Sequence, residues 1–469
     1  MTRLLVIGGS DAGISAGLRA HELDPTVRPL LIVADAYPNF SICGIPYHVS
    51  GEVADWRSLA HRTRADLETA GLDLRLNTRA LSIDPQQRTV TVENAEDGRY
   101  ELGYDQLVIG TGAVPVRPPI AGLDVLGPAD GVHLLHTMDD TFALTATLDR
   151  APASAVIVGA GYIGLEMAEG LTTRGVTVTL VEQLPQVLPT VDPELGAVVA
   201  DELRAHGVDV HTGTLVQRIE RAGGGLTVTG SDGFEQRTDL VLVVVGVRPD
   251  TELAQTAGVK LGARGAIAVD RAMRTSVEGI YAAGDCAQTY HRVLDTDTYL
   301  PLGTTAHKQG RVAGENALGG QREFAGSLGT QVLKVFDLVI ARTGLRDHEA
   351  TAGGFSPLSL GMAADDHKAY YPGARKIHLR ITGDATTGRM LGAQLAGHLH
   401  SAVHKRVDVF ATALFHGMAV DEVEDLDLSY TPPLGSPFDA VQMATQAWAR
   451  YRSPAASSTA GASSIEPAT

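Results

Sequence analysis

The sequence predicts an α/β protein with two Rossmann-like segments, followed by an α+β region at the C-terminal end. Two stretches, beginning at Arg3 and at Ala155, share a pattern of a buried aliphatic strand, a glycine turn and a helix. Strands that alternate with helices in this way favour parallel sheets with helices packed on their faces. Beyond about Gly326 the pattern changes to strands at 331–336 and 376–381 and a helix at 404–416. The length of 469 residues corresponds to roughly two to four domains.

The composition argues against several classes of protein. Hydrophobic residues make up 44% of the chain and charged residues 20%, which is typical of a packed globular protein. The net charge of −17 argues against nucleic-acid binding, which needs a basic surface that displaces counterions. No apolar run approaches the ~18 residues of a membrane span, so no membrane association is expected. The residues from 453 to 469 are rich in Ala, Ser, Thr and Pro and are expected to form a disordered tail.

Two features indicate the cellular compartment. The first residues run directly into a strand and leave no room for a signal peptide. The chain has two cysteines, Cys43 and Cys286, and such sparse usage fits a reducing environment. We therefore expect a cytoplasmic protein.

The second glycine turn has the complete pattern of a dinucleotide-binding loop. Gly159, Gly161 and Gly164 form Gly-x-Gly-x-x-Gly between a buried strand and a helix. Glycines there permit the tight turn and the close approach of a pyrophosphate to the helix N-terminus. Glu182 ends the next strand, where a carboxylate can accept hydrogen bonds from the ribose hydroxyls and repel a 2′-phosphate. This predicts NADH rather than NADPH, although NADPH stays possible; a purely structural turn is the alternative.

The first glycine turn is less regular, because Ser10 stands at the middle glycine position between Gly8 and Gly13. By itself it is a weak match that could be merely structural. Two other elements strengthen it: a strand ending in the turn Thr111-Gly112, and a strand ending in Gly284-Asp285.

With these four elements in this order, residues 1 to about 450 resemble the FAD-dependent pyridine-nucleotide disulfide oxidoreductases. The resemblance implies FAD in an outer, discontinuous domain and NAD(P)H in a domain inserted into it. Asp285 would bind the flavin ribitol, the chain would leave the FAD domain after Gly112, and it would return near Gly246. The expected domains are 1–114 and 245–325 for FAD, 115–244 for NAD(P)H, and 326–452 for dimerisation.

The resemblance also implies specific roles at the two cofactor sites. Tyr162 would gate the flavin, Glu166 would lie near the nicotinamide, and Asp35 would contact the FAD adenosine. The full set of expected cofactor-binding residues is Gly8, Ser10, Asp11, Ala12, Gly13, Asp35, Thr111, Gly112, Asp285, Gly159, Gly161, Tyr162, Ile163, Gly164, Glu166, Glu182 and Gly246.

Cys43 is the candidate redox residue. Cys286 is the only other cysteine, so the Cys-x4-Cys pair of a dithiol reductase is absent. The segment from Phe40 to Tyr47 resembles the Ser-Phe-x-x-Cys-x-x-Pro-Tyr motif of the single-cysteine subgroup, except that Asn39 replaces Ser. That subgroup contains coenzyme A disulfide reductases, persulfide reductases, NADH oxidases and NADH peroxidases.

The position of Cys43 also has a physical interpretation. A short helix expected from Cys43 to about Gly51 would stabilise the thiolate through its N-terminal N–H groups. A buried structural cysteine is the alternative for Cys43, and packing is the preferred interpretation for Cys286.

Two tyrosine segments replace the His-Pro…Glu pair of dithiol reductases. Tyr370-Tyr371-Pro372-Gly373 and Tyr430-Thr431-Pro432-Pro433 resemble segments of coenzyme A disulfide reductases. The resemblance implies that Tyr370 and Tyr430 reach the partner subunit's cysteine in a homodimer with shared active sites. A phenol there could donate a hydrogen bond to a departing thiolate. Tyr371 in place of Tyr370, and tyrosines that only pack, are the alternatives.

Other residues separate the candidate chemistries. Asp11 stands where the resembling NADH peroxidases and oxidases carry a catalytic histidine, which favours thiol over peroxide chemistry. No metal site is expected, and His398, His400 and His404 are assigned to an interface helix. Coenzyme A phosphates would need basic groups, for which the candidates are Arg19, Arg57, Arg62 and Arg64; solvated surface charge is the alternative.

The predicted function is an FAD-dependent NAD(P)H oxidoreductase that reduces a small disulfide, persulfide or polysulfide through a mixed disulfide with Cys43. One alternative is an NADH oxidase or peroxidase in which Cys43 cycles through sulfenic acid. Another is a redox-sensing flavoprotein with little turnover. The chain also ends before a fused sulfurtransferase domain of about 100 residues, so such a partner would be separate.

Overall fold

A computed structural model describes residues 2–453, so the predicted tail lies outside the described residues except for Ser453. The strands are β1 Leu4–Ile7, β2 Leu30–Ile32, β3 Asp73–Arg75, β4 Arg79–Asp84, β5 Thr89–Asn94, β6 Gly98–Gly103, β7 Gln106–Ile109, β8 Ala113–Pro115, β9 Val132–Leu134, β10 Ser154–Val158, β11 Thr177–Glu182, β12 Asp209–Thr212, β13 Val216–Ala222, β14 Gly225–Gly230, β15 Glu235–Thr238, β16 Leu240–Val243, β17 Val247–Pro249, β18 Ile280–Ala282, β19 Thr289–His291, β20 Thr296–Thr298, β21 Gln331–Val335, β22 Leu338–Gly344, β23 Pro357–Asp365, β24 Lys376–Asp384 and β25 Met390–His398. The α-helices are α1 Asp11–Leu23, α2 Ile45–Ser50, α3 Arg64–Thr69, α4 Met138–Leu148, α5 Tyr162–Thr173, α6 Pro193–Ala205, α7 Glu252–Thr256, α8 Gly303–Ala317, α9 Asp347–Ala352, α10 Val403–His416, α11 Val420–Glu424 and α12 Ala440–Arg452.

The described residues form two compact units. A larger unit comprises the residues up to Pro185 together with Gly207–His291 and Asp295–Ser327. A C-terminal unit comprises Gln186–His206, Arg292–Leu294 and the described residues from Leu328 onward. The predicted domain limits do not follow this division, since α6 belongs to the C-terminal unit.

The first sheet of the larger unit is parallel, in the order β18-β7-β1-β2-β3. The central strand β1 is aliphatic and fully buried, and β7 is so after its first residue, Gln106, as expected for a sheet with both faces covered. Helices α1 and α8 pack closely because α8 carries glycines at the contact. A Cβ at Gly310 would lie 2.2 Å from the Ala12 carbonyl oxygen, and one at Gly314 would lie 2.1 Å from that of Ala16.

The second sheet of the larger unit is also parallel, in the order β12-β11-β10-β16-β9. The antiparallel pair β8 and β17 lies at the two points where the chain was predicted to pass between domains. Val247 there pairs with Pro115, and Pro249 pairs with Ala113. The α/β class with two parallel, Rossmann-like sheets is confirmed.

The C-terminal unit contains an antiparallel sheet in the order β21-β22-β25-β24-β23. Helices α10 and α12 cover it, and the fully buried Trp448 of α12 donates a hydrogen bond from its indole N–H to the Leu358 carbonyl at 2.7 Å. Helix α6 joins this unit through a buried contact in which Gln394 Oε1 accepts from the Asp192 amide at 2.7 Å. The α+β character predicted for the C-terminal region is confirmed. None of the helices between residues 2 and 453 combines the length and the apolar composition needed to cross a membrane.

Candidate active site

The first glycine turn is built around contacts that exclude side chains. Gly8 has φ +116°, and a Cβ there would lie 2.1 Å from the Gly110 carbonyl oxygen. A Cβ at Gly13 would lie 2.1 Å from the Gly8 carbonyl oxygen. Helix α1 begins directly after the turn, and the side chain of its N-cap residue Ser10 makes no capping hydrogen bond. The N-terminal N–H groups of α1 are therefore a suitable site for an anion.

The second glycine turn repeats this construction. Gly159 has φ +108°, and its Cβ would lie 2.6 Å from the Val244 carbonyl oxygen. A Cβ at Gly164 would lie 2.0 Å from the Gly159 carbonyl oxygen, whereas Gly161 faces open space. Helix α5 begins at Tyr162, so the predicted positions Tyr162, Ile163 and Glu166 all lie in its first turns.

Glu182 ends β11 beside this second turn. It is buried, and its Oε2 accepts a hydrogen bond from the Ala160 amide at 2.8 Å. Its Oε1 accepts from the Leu184 amide at 2.9 Å. The carboxylate thus fixes the turn and retains further lone pairs for a ribose hydroxyl.

Asp285 follows β18, and it is the most perturbed carboxyl group near the first glycine turn. Burial, with a smaller contribution from the charge of Asp11, raises the pKa of Asp285 to about 6. No described group hydrogen-bonds to its carboxylate. A half-buried carboxylate without a donor is suited to a ligand that brings hydroxyl groups.

The remaining predicted FAD positions lie in loops of the larger unit. Thr111 Oγ1 donates to the Asp250 carbonyl at 2.7 Å, and Gly112 has φ +74° with open space at its Cβ position. Asp35 lies beyond β2 and accepts from the Tyr37 amide at 2.8 Å, while burial raises its pKa. Gly246 has φ +112° and also faces open space.

Cys43 lies in the segment of residues 39–51, which ends with the short helix α2 and is here called the Cys43 loop. The residues Ile42–Gly44 form a 3₁₀ turn that leads into α2. The loop is attached to the first glycine turn, because the Asn39 amide donates to the Gly9 carbonyl at 2.7 Å. The side chain of Cys43 is exposed, whereas Cys286 is fully buried, and burial raises the pKa of the Cys286 thiol.

An aromatic cluster supports this loop. Phe40 stacks on Trp56 with ring centroids 5.5 Å apart, and Trp56 meets Phe142 of α4 edge to face at 5.1 Å. Tyr37 packs edge-on against all three rings. Edge-to-face and offset pairs are the preferred aromatic geometries, so the cluster fixes the loop against α4.

The expected stabilisation of the Cys43 thiolate by a helix N-terminus is wrong for this structure. Helix α2 has only six residues and starts at Ile45, after Cys43. The pKa of the Cys43 thiol is raised, first by desolvation and then by the negative charges of Glu166, Asp11 and Asp285. Desolvation and the three carboxylates therefore both disfavour the Cys43 thiolate.

Sequence reasoning missed two contacts of this region. Arg174, directly after α5, donates from Nη1 to the Val49 carbonyl of α2 at 3.0 Å. His307 of α8 lies with Nε2 3.4 Å from Asp11 Oδ1. In both cases the partners are more than a hundred residues apart, and neither residue belongs to a recognisable local motif.

The two predicted tyrosines meet in the C-terminal unit. The side chains of Tyr370 and Tyr430 interact with each other, and the pKa of Tyr430 is raised first by desolvation and then by the neighbouring Tyr370 phenol. Both side chains are solvent-exposed, Tyr370 to 74% and Tyr430 to 44%. Tyr371 instead directs its ring towards His367, with centroids 5.8 Å apart. The geometry therefore favours Tyr370 over Tyr371 as the partner of Tyr430.

The assignment of three histidines to one helix was wrong in part. His398 ends β25 and His400 lies in the following turn, so only His404 lies in α10. In residues 2–453, no group of three or more His, Cys, Asp or Glu side chains is placed to hold a metal ion.

Three of the four arginines considered for phosphate binding are already in ion pairs. Arg19 pairs with Glu315 at 2.7 Å, Arg57 with Asp55 at 3.2 Å and Arg64 with Glu68 at 2.7 Å. Arg62 forms no ion pair with a described residue.

These features fit two bound nucleotides. Each glycine turn precedes a helix of more than ten residues, and Gly112, Gly161 and Gly246 leave open space. The buried Oδ1 atom of Asn39 has no hydrogen-bond partner among the described residues. Orphaned buried polar atoms of this kind are expected where a polar cofactor binds.

Comparisons with known proteins agree with this geometry. A family model described as pyridine nucleotide-disulphide oxidoreductase matches residues 2–310, and the model of its dimerisation domain matches residues 330–440. The chain is 36% identical to the CoA-dependent NAD(P)H sulfur oxidoreductase of Pyrococcus furiosus, over 93% of this chain and 97% of that protein. It is 32% identical to an NADH oxidase of Methanocaldococcus jannaschii, over 95% of this chain and 98% of that protein. The solved structure of an NAD-dependent persulfide reductase from A. fulgidus superimposes with a TM-score of 0.91 at 36% identity, over 96% of this chain and 83% of that chain.

Proposed function

The chain belongs to the pyridine nucleotide-disulphide oxidoreductase family, and we propose that it uses NAD(P)H and FAD to reduce a small disulfide, persulfide or polysulfide at Cys43. The relatives named for sulfur and persulfide reduction support this substrate class. The single observation that carries the proposal is the contrast between an exposed Cys43 beside the first glycine turn and a Cys286 that is buried.

The cofactor roles follow the two glycine turns. Residues 1–114 and 245–325 would hold FAD, with its pyrophosphate at α1 and Asp285 at a polyol hydroxyl. Residues 115–244 would hold NAD(P)H at the N-terminus of α5, with Glu182 selecting the coenzyme. When bound, FAD takes up a hydride from NAD(P)H and makes an electron pair available to sulfur.

Cys43 supplies the nucleophile of the reaction. Its thiolate attacks one sulfur of the substrate, the substrate S–S bond breaks, and the other sulfur leaves as a thiolate or hydrosulfide. The resulting mixed disulfide is cleaved when it takes up two electrons and a proton, which releases the second thiol and restores the Cys43 thiolate. The departing group takes a second proton, so one NAD(P)H and one proton yield two reduced sulfur products.

The tyrosine pair would serve the site of the partner subunit in a homodimer formed by residues 326–452. Tyr370 and Tyr430 are exposed and neighbour each other, an arrangement suited to donating to a sulfur anion that arrives from outside the C-terminal unit. The match to the family's dimerisation domain supports this arrangement.

An NADH oxidase that cycles Cys43 through sulfenic acid is the second candidate, supported by the 32% identity to a protein of that name. The two functions differ in the oxidant. An oxidase consumes NADH in air without any sulfur compound, whereas a sulfur reductase needs the sulfur substrate and works without oxygen.

The deciding experiment measures NADH and NADPH oxidation by the flavin-loaded protein, anaerobically with coenzyme A disulfide, coenzyme A persulfide and polysulfide, and in air without them. We expect turnover with at least one sulfur substrate and a slower rate in air alone. Cys43→Ser should abolish sulfur-dependent turnover, and the matched variant Cys286→Ser should retain it. Equal rates in air without sulfur, or full activity of Cys43→Ser, would overturn the proposal.

A further inference from the structure

We propose that Gln309 and Tyr299 are positioning residues for Asp285. They hold the turn of residues 284–289, here called the Asp285 turn, from two sides and so direct the Asp285 carboxylate towards the flavin polyol. No sequence motif includes either residue, and the inference rests on the proposed function of Asp285 as an FAD-binding residue.

Gln309 of α8 holds the Asp285 turn at both of its ends. Its side chain is fully buried, and its Oε1 accepts a hydrogen bond from the Gly284 amide at 2.9 Å. Its Nε2 donates to the Gln288 carbonyl at 3.1 Å and to Thr289 Oγ1 at 3.2 Å. One buried amide group therefore bonds to the same short segment on either side of Asp285.

Tyr299 bonds to Asp285 itself. Its hydroxyl group donates to the Asp285 carbonyl oxygen at 3.0 Å. Desolvation, followed by the negative charge of Asp285, raises the pKa of the Tyr299 phenol, so the phenol keeps its proton and acts as the donor. The main chain is thus held at the Asp285 carbonyl by Tyr299 and at the amide of the preceding residue by Gln309.

The rest of the turn has little room to move. Gly284 has φ +83°, and a Cβ there would lie 2.8 Å from the Cβ of Ala12. The Cys286 carbonyl accepts from the Ile267 amide at 2.8 Å, and the Gln288 amide donates to the Ile267 carbonyl at 3.0 Å. These contacts set the direction in which the aspartate side chain leaves the main chain, and a hydrogen bond from a ligand hydroxyl depends on that direction.

Asn316 offers a comparison on the same helix. It is also a buried amide side chain of α8, and its Nδ2 donates to the Ala272 carbonyl at 2.9 Å and to the Arg322 carbonyl at 2.8 Å. These hydrogen bonds brace segments outside the Asp285 turn. Loss of either amide leaves buried carbonyl groups without donors, so both losses should destabilise the fold, whereas only the loss at Gln309 should affect FAD.

The test is the dissociation constant of FAD, measured by equilibrium dialysis of the full-length holoprotein, together with its unfolding temperature. Gln309→Met keeps the length of the side chain but removes its amide. We expect the dissociation constant to rise about tenfold, the effect of a weakened hydrogen bond to a charged group. Tyr299→Phe removes only the hydroxyl group of a partly exposed side chain and should raise the dissociation constant about threefold. Asn316→Leu should lower the unfolding temperature as Gln309→Met does, but should change the dissociation constant by less than about twofold.

A coupling measurement separates positioning from general loosening of the fold. Asp285→Ala removes the carboxylate, so in this background Gln309→Met and Tyr299→Phe should each change the dissociation constant by less than about twofold. Equal losses with and without the carboxylate, an equal loss in Asn316→Leu, or an unchanged constant in both Gln309→Met and Tyr299→Phe would overturn the inference. If Gln309→Met does not fold, the result for Tyr299→Phe decides.

The readout needs no NAD(P)H, no sulfur compound and no turnover, so the two proposals can fail separately. If the variants show the coupled loss of FAD affinity but the wild-type protein reduces no sulfur compound, the proposed function alone is overturned. If the wild-type protein reduces a sulfur compound but the losses are not coupled, or Asp285→Ala binds FAD as tightly as wild type, the inference alone is overturned.

Discussion

Arg174 donates a hydrogen bond from Nη1 to the carbonyl oxygen of Val49 at 3.0 Å, which joins the end of α5 to the last turn of α2. The two helices also approach closely at Gly170, where a Cβ would lie 3.3 Å from the Pro46 carbonyl oxygen. The helix that starts at the second glycine turn therefore holds the helix that follows Cys43.

Arg174→Gln should loosen the Cys43 loop. Loss of a hydrogen bond from a charged, partly buried group costs about 1 kcal/mol, which corresponds to about fivefold faster local opening. Hydrogen exchange measured by mass spectrometry should show this acceleration in peptides that cover residues 45–51. Arg204→Gln, which removes an exposed pair with Asp201, should leave those peptides unchanged. Unchanged exchange in Arg174→Gln would show that glycine packing alone fixes the loop.

The sequence was sufficient for the fold class because the information is local. A buried strand, a glycine turn and a helix follow one another within about 20 residues, and both turns have the backbone angles and close contacts that the glycines predicted. The pairing of Tyr370 with Tyr430 agrees with the tyrosine that the sequence preferred, although their role towards Cys43 stays a prediction.

The electrostatics of the site could not be predicted in the same way. The raised pKa of Cys43 depends on desolvation and on the charges of Glu166, Asp11 and Asp285, which lie far apart in the sequence. The prediction that a helix N-terminus stabilises the thiolate considers only residues near Cys43 in the sequence. It does not include charged residues that are distant in the sequence but close in the fold. For the same reason no local pattern indicated His307.

The raised pKa of Asp285 predicts a pH-dependent stability of the flavin-free protein. Its folded pKa is about 6, above the usual value for an aspartate of 3.8, so the folded state binds the proton more tightly between these pH values. Stability from this group is therefore present at low pH and is lost as the pH rises through about 6. At pH 7.5 the flavin-free Asp285→Asn variant should therefore be more stable than wild type. Its free energy of unfolding should be higher by about 1 to 3 kcal/mol, and its unfolding temperature should be higher too. The difference should be smaller at pH 4.5.

Calorimetry at the two pH values checks this expectation, with the exposed Asp124→Asn as a control that should behave like wild type. The same Asp285→Asn substitution should weaken FAD retention if the carboxylate serves the cofactor. A variant that is less stable at pH 7.5 without flavin would instead assign Asp285 a structural role.

The tyrosine pair predicts activity that depends on both subunits. Tyr430→Phe removes the phenol that neighbours Tyr370 and should lower kcat for sulfur reduction about 10- to 100-fold, since a proton donor is lost. Tyr451→Phe, at another exposed tyrosine of the C-terminal unit, should retain wild-type kcat. Co-expression of differently tagged Cys43→Ser and Tyr430→Phe chains should give heterodimers with one intact shared site. Heterodimers no more active than either parent would place the tyrosines and the cysteine in the same subunit's site.

Glu182 predicts the choice of coenzyme. The carboxylate already accepts the Ala160 and Leu184 amides, and a ribose hydroxyl would be its third donor. Glu182→Gln keeps the size of the side chain but removes the charge that attracts a hydroxyl donor and repels a 2′-phosphate.

In this variant the kcat/KM for NADH should fall about 10- to 100-fold, as expected for a lost hydrogen bond to a charged group, while the kcat/KM for NADPH falls less or rises. Measurements with both coenzymes and one sulfur acceptor decide the point, and Gln183→Ala at the exposed neighbouring position should leave the ratio unchanged. An equal loss for both coenzymes would mean that Glu182 only braces the glycine turn.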